Sequence, residues 1–291
     1  MPSVLPVPVP VLVAAASSML GGTAMVATRM LMGVSDATTV ALLRCAGAAA
    51  ALGIYLFVFR RVRIPPRELA ALAALGFLMF GVFNLLFSAG FAYVPAARGA
   101  VVMSTMPIIA LMIAAAIGRE RITRAKIAGG LLALAGVVVA LGERAAAGAE
   151  AWRGDVLMTL AALAGAMHAV LSGFVLSKRA ALPVLAVQVC AGAAMLAGIL
   201  AWRGELHHVV AFEGTQWLAV VWLTFVAGLF SYLMWFWALE HAPVSSVTIT
   251  VTLNPISAAV FGAMFLGEPL TLQLTVGLAA VVAGIVLAGR R

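Results

Sequence analysis

The chain has 291 residues, 65% of them apolar and 10% charged, against about 45–50% apolar and about 25% charged in soluble domains. Too little polar surface remains to cover a water-soluble core, so a sizeable soluble domain is excluded. The net charge of +8 does not point to nucleic acid, because the basic residues stand in short clusters between apolar runs, as topology signals do.

Apolar runs between charged or proline-rich breaks predict an all-α membrane protein of ten spans, near 11–31, 37–59, 68–91, 96–117, 123–142, 155–177, 183–202, 216–239, 244–266 and 270–289. Pro2 to Pro10 reads as a short extended arm. With no Lys or Arg before Arg29, the start lacks the basic region of a cleaved signal peptide.

The first span carries Ser17, Ser18, Gly21 and Gly22. In the second, Arg44 either snorkels or pairs within the bundle. Cys45, and Cys190 in the seventh, read as small buried side chains rather than a disulfide or metal pair. The third span sets Phe77, Phe80, Asn84, Phe87 and Phe91 on one helical face. It is either an aromatic packing stripe with an interhelical hydrogen bond or the wall of a site, since polar groups at that depth turn from lipid.

The fourth span places Ala97, Ala100, Ser104, Pro107 and Leu111 on one face. The fifth repeats small residues at Gly129, Ala133, Gly136 and Ala140, which permit close packing. The sixth holds Gly165, His168 and Ser172. His168, with an ordinary pKa near ~6.5, reads as a substrate-site residue: a proton relay or a neutral hydrogen-bonding group.

The eighth span aligns Phe225, Gly228, Tyr232, Trp235 and Leu239. The ninth aligns Ser245, Thr248, Thr252, Pro255 and Ala259, with Asn254 close by. Its Val247 to Asn254 stretch alternates like a strand, but a lone strand cannot satisfy its backbone in lipid, so helix is expected. Pro107 and Pro255 predict kinks, either structural or serving as gating hinges. The tenth span repeats small residues at Gly277, Ala280, Gly284 and Ala288; packing within one chain is the favoured use of both stripes over a dimer seam.

The longest connections, 143–154 and 203–215, are too short for a folded domain. Of the 18 Lys and Arg, twelve fall on one side of the membrane, five on the other, and Arg44 within a span. The positive-inside tendency makes the first side cytoplasmic, with both termini there.

An offset of 148 carries Pro95 onto Pro243, Pro107 onto Pro255, Glu120 onto Glu268, Thr123 onto Thr271, Gly129 onto Gly277 and Gly136 onto Gly284. Shared hydrophobicity would match Leu and Ala instead. Two halves are read, 1–142 and 155–291, joined by an extracytoplasmic linker over 143–154. Five spans in each make this an inverted repeat, which lets two halves expose one central site to either side in turn.

The stretch Gly118-Arg-Glu-Arg-Ile-Thr followed by Gly129, and its echo Leu266-Gly-Glu-Pro-Leu-Thr followed by Gly277, resemble the EamA repeat of the drug/metabolite transporter superfamily. So do "VPAARGAVVMSTMPIIA" and "APVSSVTITVTLNPISA". The resemblance implies a ten-helix exporter of small metabolites, most like the YddG-type exporters of aromatic and other neutral amino acids. A departure lies at Arg119, where the second copy has Gly267. Glu120 and Glu268 are read as hairpin and cap residues opening the fifth and tenth helices.

No Asp or Glu lies deep in a span, and His-Glu-x-x-His and Walker-type loops are absent from the sequence. An enzyme is not expected, nor a cofactor or metal. The expected partners are a small-molecule substrate and membrane lipid, with the chain a monomer or weak homodimer in the cell (inner) membrane. The candidate substrate-binding residues are Ser18, Phe80, Asn84, Phe87, Ser104, His168, Tyr232, Trp235, Thr248, Thr252 and Asn254, with Pro107 and Pro255 as hinges. Two alternatives stay open: a multidrug or other metabolite exporter, although a permanent cation wants a buried carboxylate, and a membrane receptor that transports nothing.

Overall fold

A computed structural model describes residues 9–59, 64–118, 123–141, 149–176, 180–205, 212–242, 247 and 249–288. Ten helices run through them: α1 (Val9–Leu31), α2 (Ala37–Phe59), α3 (Pro66–Gly90), α4 (Ala96–Ala116), α5 (Arg124–Leu141), α6 (Ala151–Leu176), α7 (Ala181–Arg203), α8 (Gly214–His241), α9 (Leu253–Leu266) and α10 (Leu272–Ala288). Seven are long and apolar enough to cross a membrane; the rest include two shorter apolar helices. Helix is the expected choice, because each backbone N–H finds its carbonyl within the same segment and none must face hydrocarbon unpaired.

The expected spans agree with these helices to within a few residues, with two differences. Helix α6 begins at Ala151, inside the stretch read as linker. The ninth span holds a 3-10 turn at Ile249–Thr252 before α9 starts at Leu253. Arg119, Glu120, Pro243 and Thr248 lie outside the described residues.

The larger interfaces pair α5 with α10, α1 with α9, α4 with α6, α2 with α7, α3 with α7, α2 with α8, α3 with α6 and α1 with α8. Replacing every helix by the one five places along leaves this set of pairs unchanged. The α5–α10 interface is the most extensive, and both small-residue stripes are spent on it. A Cβ at Gly136 would come 2.5 Å from the carbonyl oxygen of Gly277, and one at Gly277 would come 2.6 Å from that of Gly136. Only glycine admits backbones this close.

Both α3 and α8 contain a π-helical stretch, Phe77–Phe83 and Trp222–Phe230. The offset of 148 carries 77–83 onto 225–231, so the two stretches overlap in the repeat register. A π turn is wider than an α turn and rotates the helix face that follows it. This corrects the regular stripe expected from the sequence: Phe77 is 44% exposed and Phe225 49%, while Phe80 and Phe87 are buried.

Helices α4 and α9 also match. In α4 the regular helix stops at Met103 and resumes at Met106, with Pro107 in its first turn. In α9 the 3-10 turn gives way to α-helix just before Pro255. A proline tolerates the first turn of a helix but disrupts its interior, so each rod is built as two pieces.

Each helix ends on a left-handed glycine, Gly118 at φ 72° and Gly267 at φ 64°. The mismatch of Arg119 with Gly267 is thereby explained: both halves use a glycine cap, one residue apart in register.

Glu268 differs from expectation. Its carboxylate accepts the N–H of Ala96 at 2.9 Å and that of Ala97 at 3.4 Å. It therefore caps α4 of the other half rather than α10, whose first residue lies four positions on. At the same end of the bundle Arg98 makes a bidentate pair with Asp155, Nη2 to Oδ2 at 2.7 Å and Nε to Oδ1 at 3.0 Å, again between halves. Arg29 donates to the carbonyls of Phe91 and Ala92.

Candidate functional site

Arg44 sits on α2 two turns from its start and is 6% exposed. It neither snorkels to the surface nor meets a carboxylate within ion-pair distance among the described residues. Two aromatic rings hold it: its guanidinium carbon lies 4.7 Å from the Phe87 centroid and 5.9 Å from that of Tyr232. Such faces attract a cation through their quadrupole. Nε donates to the Tyr232 hydroxyl at 3.1 Å, while Nη1 is buried without a hydrogen-bond partner.

Beside it, Asn84 is fully buried at the end of the α3 π-stretch. Its Nδ2 donates to Cys45 Sγ at 3.2 Å and to the Phe80 carbonyl at 3.3 Å. A carbonyl can only accept, which fixes the amide's orientation. Oδ1 is therefore the end left buried and unpartnered. A side-chain bond to the backbone ties α8 to α2 here, with Thr224 Oγ1 donating to the Leu43 carbonyl at 2.7 Å.

Phe80 links this cluster to a second one. Its ring meets Tyr232 edge-on at 5.0 Å and His168 at 6.5 Å. His168 Nε2 lies 2.7 Å from Gln188 Oε1 and 2.9 Å from Ser172 Oγ, joining α6 to α7. Gln188 Nε2 is buried without a partner.

Of the residues expected at a substrate site, Phe80, Asn84, Phe87, His168 and Tyr232 come together around these two clusters. The others stand apart. Ser18 bonds Thr250 at 2.9 Å across the seam of α1 and the 3-10 turn. Ser104 is spent on its own helix, donating to the Ala100 carbonyl at 2.9 Å. Asn254 is half-buried beside Gly21, with Oδ1 unpartnered. Trp235 is half-buried and packs between the Tyr232 cluster and the apolar contact of Ala14 with Val247. The side chain of Thr252, like all of Thr248, lies outside the described residues.

Sequence reasoning gave Gln188 no part and left Arg44, read as snorkelling or paired, outside the substrate-site residues. Both carried a signal: each is a strongly polar residue deep in an apolar span, where burial is costly without a purpose.

The arrangement is that of a multi-pass helical membrane protein with one buried polar cluster between its two halves and another joining α6 to α7. The chain belongs to the EamA-like transporter family, whose model matches it twice, over residues 9–142 and 152–290. It is 26% identical to a protein of Archaeoglobus fulgidus described as an uncharacterised transporter, over 87% of this chain and 88% of that one. It is 29% identical to a probable terminal-alkyne amino-acid exporter of Streptantibioticus cattleyicolor, over 87% and 82%. One solved crystal structure aligns with a TM-score of 0.71 at 22% identity, covering 96% of both chains, and shares the fold.

Proposed function

We propose that this protein is a secondary transporter that exports small metabolites, amino acids including aromatic ones, by alternating access. The observation that carries the reading is the interhelix pairing that survives the exchange of halves, with the buried polar cluster of α2, α3 and α8 lying between them and that of α6 and α7 packed against it through Phe80. Two halves of opposite sense around one site are the usual build for exposing it to either side. The amino-acid class draws support from the relative described as an amino-acid exporter. In this reading the chain lies in the cell membrane with both termini cytoplasmic. The breaks before Pro107 and Pro255 act as hinges, and Ser18, Ser104, Trp235, Thr248, Thr252 and Asn254 line the path when the halves part.

Around Arg44 a cation is repelled, which disfavours export of permanent organic cations. Purified protein in proteoliposomes, offered a panel of labelled amino acids and a quaternary ammonium dye, tests this directly. Saturable flux of amino acids is expected; selective flux of the dye would replace the reading with multidrug export. The orientation has its own test. A single cysteine at Ala147 in a Cys-less background should react in whole cells with an impermeant thiol reagent, and one at Arg61 should not.

A further inference from the structure

Arg44 poses a problem that packing alone does not solve. A guanidinium deep in a membrane bundle normally brings its donors to carboxylates or carbonyls, since burying a charge without a partner is costly. This one is 6% exposed, is flanked by the Phe87 and Tyr232 rings, and keeps Nη1 without a partner. The acidic side chains among the described residues stand at helix ends and connections. Asp155 is paired with Arg98, Glu240 accepts the Ala181 N–H, and Glu268 caps α4. A donor with no acceptor therefore shares one cluster with an acceptor with no donor, Asn84 Oδ1: Arg44 bonds Tyr232, Tyr232 packs on Phe80, and the Asn84 amide nitrogen bonds the Phe80 carbonyl.

We infer that Arg44 is the carboxylate-binding group of the transport site and that Asn84 Oδ1 receives the ammonium of the same substrate. This deepens the proposed export function and rests on it. The donor and acceptor match the two ends of an α-amino acid, whose opposite charges stand close together. Arg44 Nη1 meets one carboxylate oxygen. Tyr232 Oη already accepts from Arg44 Nε, so its own proton is directed to an acceptor and can serve the same carboxylate. The rings of Phe80 and Phe87, both at most 2% exposed, then face the substrate side chain once the helices part. The repeat places Gly192 opposite Arg44, so the site has one cationic pole and reads its substrate in one orientation.

Three ligands separate the two points of recognition: phenylalanine, phenylalaninamide, which lacks the carboxylate, and 3-phenylpropionate, which lacks the amine. Equilibrium binding to purified protein in detergent is read by tryptophan fluorescence and by ligand-induced thermal stabilisation. The amide is expected to bind about a hundredfold more weakly than phenylalanine, as loss of a charged hydrogen bond implies. The phenylpropionate is expected to bind roughly tenfold more weakly, because Asn84 offers a neutral acceptor.

In Arg44→Gln, phenylalanine and its amide should bind alike. Without ligand, Arg44→Met should melt no lower than the parent protein, since it removes an uncompensated charge; a merely structural arginine would lower it. Equal binding of acid and amide by the parent protein overturns the inference, as does binding of no carboxylate ligand or an acid preference that survives Arg44→Gln. The acid–amide comparison needs no variant and stands if Arg44→Gln fails to fold. Carboxylate binding through Arg44 without flux in proteoliposomes would sink the transport reading alone; amino-acid flux indifferent to Arg44 would sink the inference alone.

Discussion

Arg44 on α2 and Gly192 on α7 hold corresponding places in the two halves, yet one bears a buried cation and the other no side chain. Around Gly192 there is no room: an added Cβ would lie 2.7 and 2.8 Å from the Phe80 backbone carbon and Cα. Around Arg44 the corresponding neighbour is Gly228, whose own Cβ would meet the Arg44 carbonyl at 2.9 Å. The repeat thus keeps the close crossing of α3 with α7 and of α2 with α8, and moves the small residue to opposite partners. The polar groups are unequal as well. Gln188 and His168 answer to Val40 and Leu20 in the first half. The scaffold is doubled, but each half carries its own chemistry: charge in one, a neutral hydrogen-bonded chain in the other.

Transplanting the charge is the most severe way to break that comparison. Gly192→Arg should prevent folding or cost about 3 kcal/mol, because the side chain must displace α3 backbone rather than a flexible tip. Thermal unfolding in detergent measures it, and a variant that melts with the parent would mean the crossing is looser than described.

His168→Leu probes the neutral chain. It leaves Gln188 Oε1 and Ser172 Oγ without their partner, so a loss of about 2 kcal/mol is expected, whereas His168→Gln, which still bonds Gln188, should lose under ~1 kcal/mol. Equal losses would show that the ring's volume matters and its nitrogen does not. If this cluster also carries the coupling proton, His168→Gln keeps substrate affinity and loses the dependence of flux on a pH gradient.

Binding separates the two clusters further. Asn84→Leu should weaken every amino acid by roughly tenfold, ~1.4 kcal/mol, since it removes a polar contact common to all. Trp235→Ala, half-buried beyond Tyr232, should weaken aromatic substrates about threefold and small ones less, at the low end of an aromatic pair's worth. A Trp235 effect exceeding that of Asn84 would move the site toward the α8 end that Trp235 occupies.

The smallest expected effect concerns how the paired helices α2 and α7 begin. Asp36 caps α2, accepting the N–H groups of Thr38 at 2.8 Å and Thr39 at 3.1 Å. Helix α7 instead takes Glu240 from α8. Partial burial pushes the Asp36 carboxyl up, but the hydrogen bonds from Thr39 and Thr38 outweigh it and hold the group below its ordinary value of 3.8. The cap's extra stabilisation is therefore present above that value and lost as pH falls below it. Asp36→Ala should cost about 1 kcal/mol at neutral pH and show a smaller acid-induced loss than the parent chain below about pH 3.8.

The sequence by itself determined that the chain is a membrane-spanning helical protein, where most of its helices run, and that its halves echo one another. Those properties follow from one-dimensional quantities: runs of apolar residues long enough for a bilayer, and glycine, proline and glutamate recurring at one offset. It also picked out Phe80, Asn84, Phe87 and Tyr232, since polar and aromatic residues at mid-span are few. The tertiary structure alone decided which of them meet. The π-stretches turn Phe77 and Phe225 outward, a shift that a fixed helical period cannot show. Ser104 is spent on its own backbone, and Glu268 reaches α4 instead of its neighbour α10. The role inferred for Arg44 rests on three dimensions, because an unpaired donor is a property of what surrounds a side chain, and here the surroundings come from α3 and α8, which α2 meets only when the bundle closes.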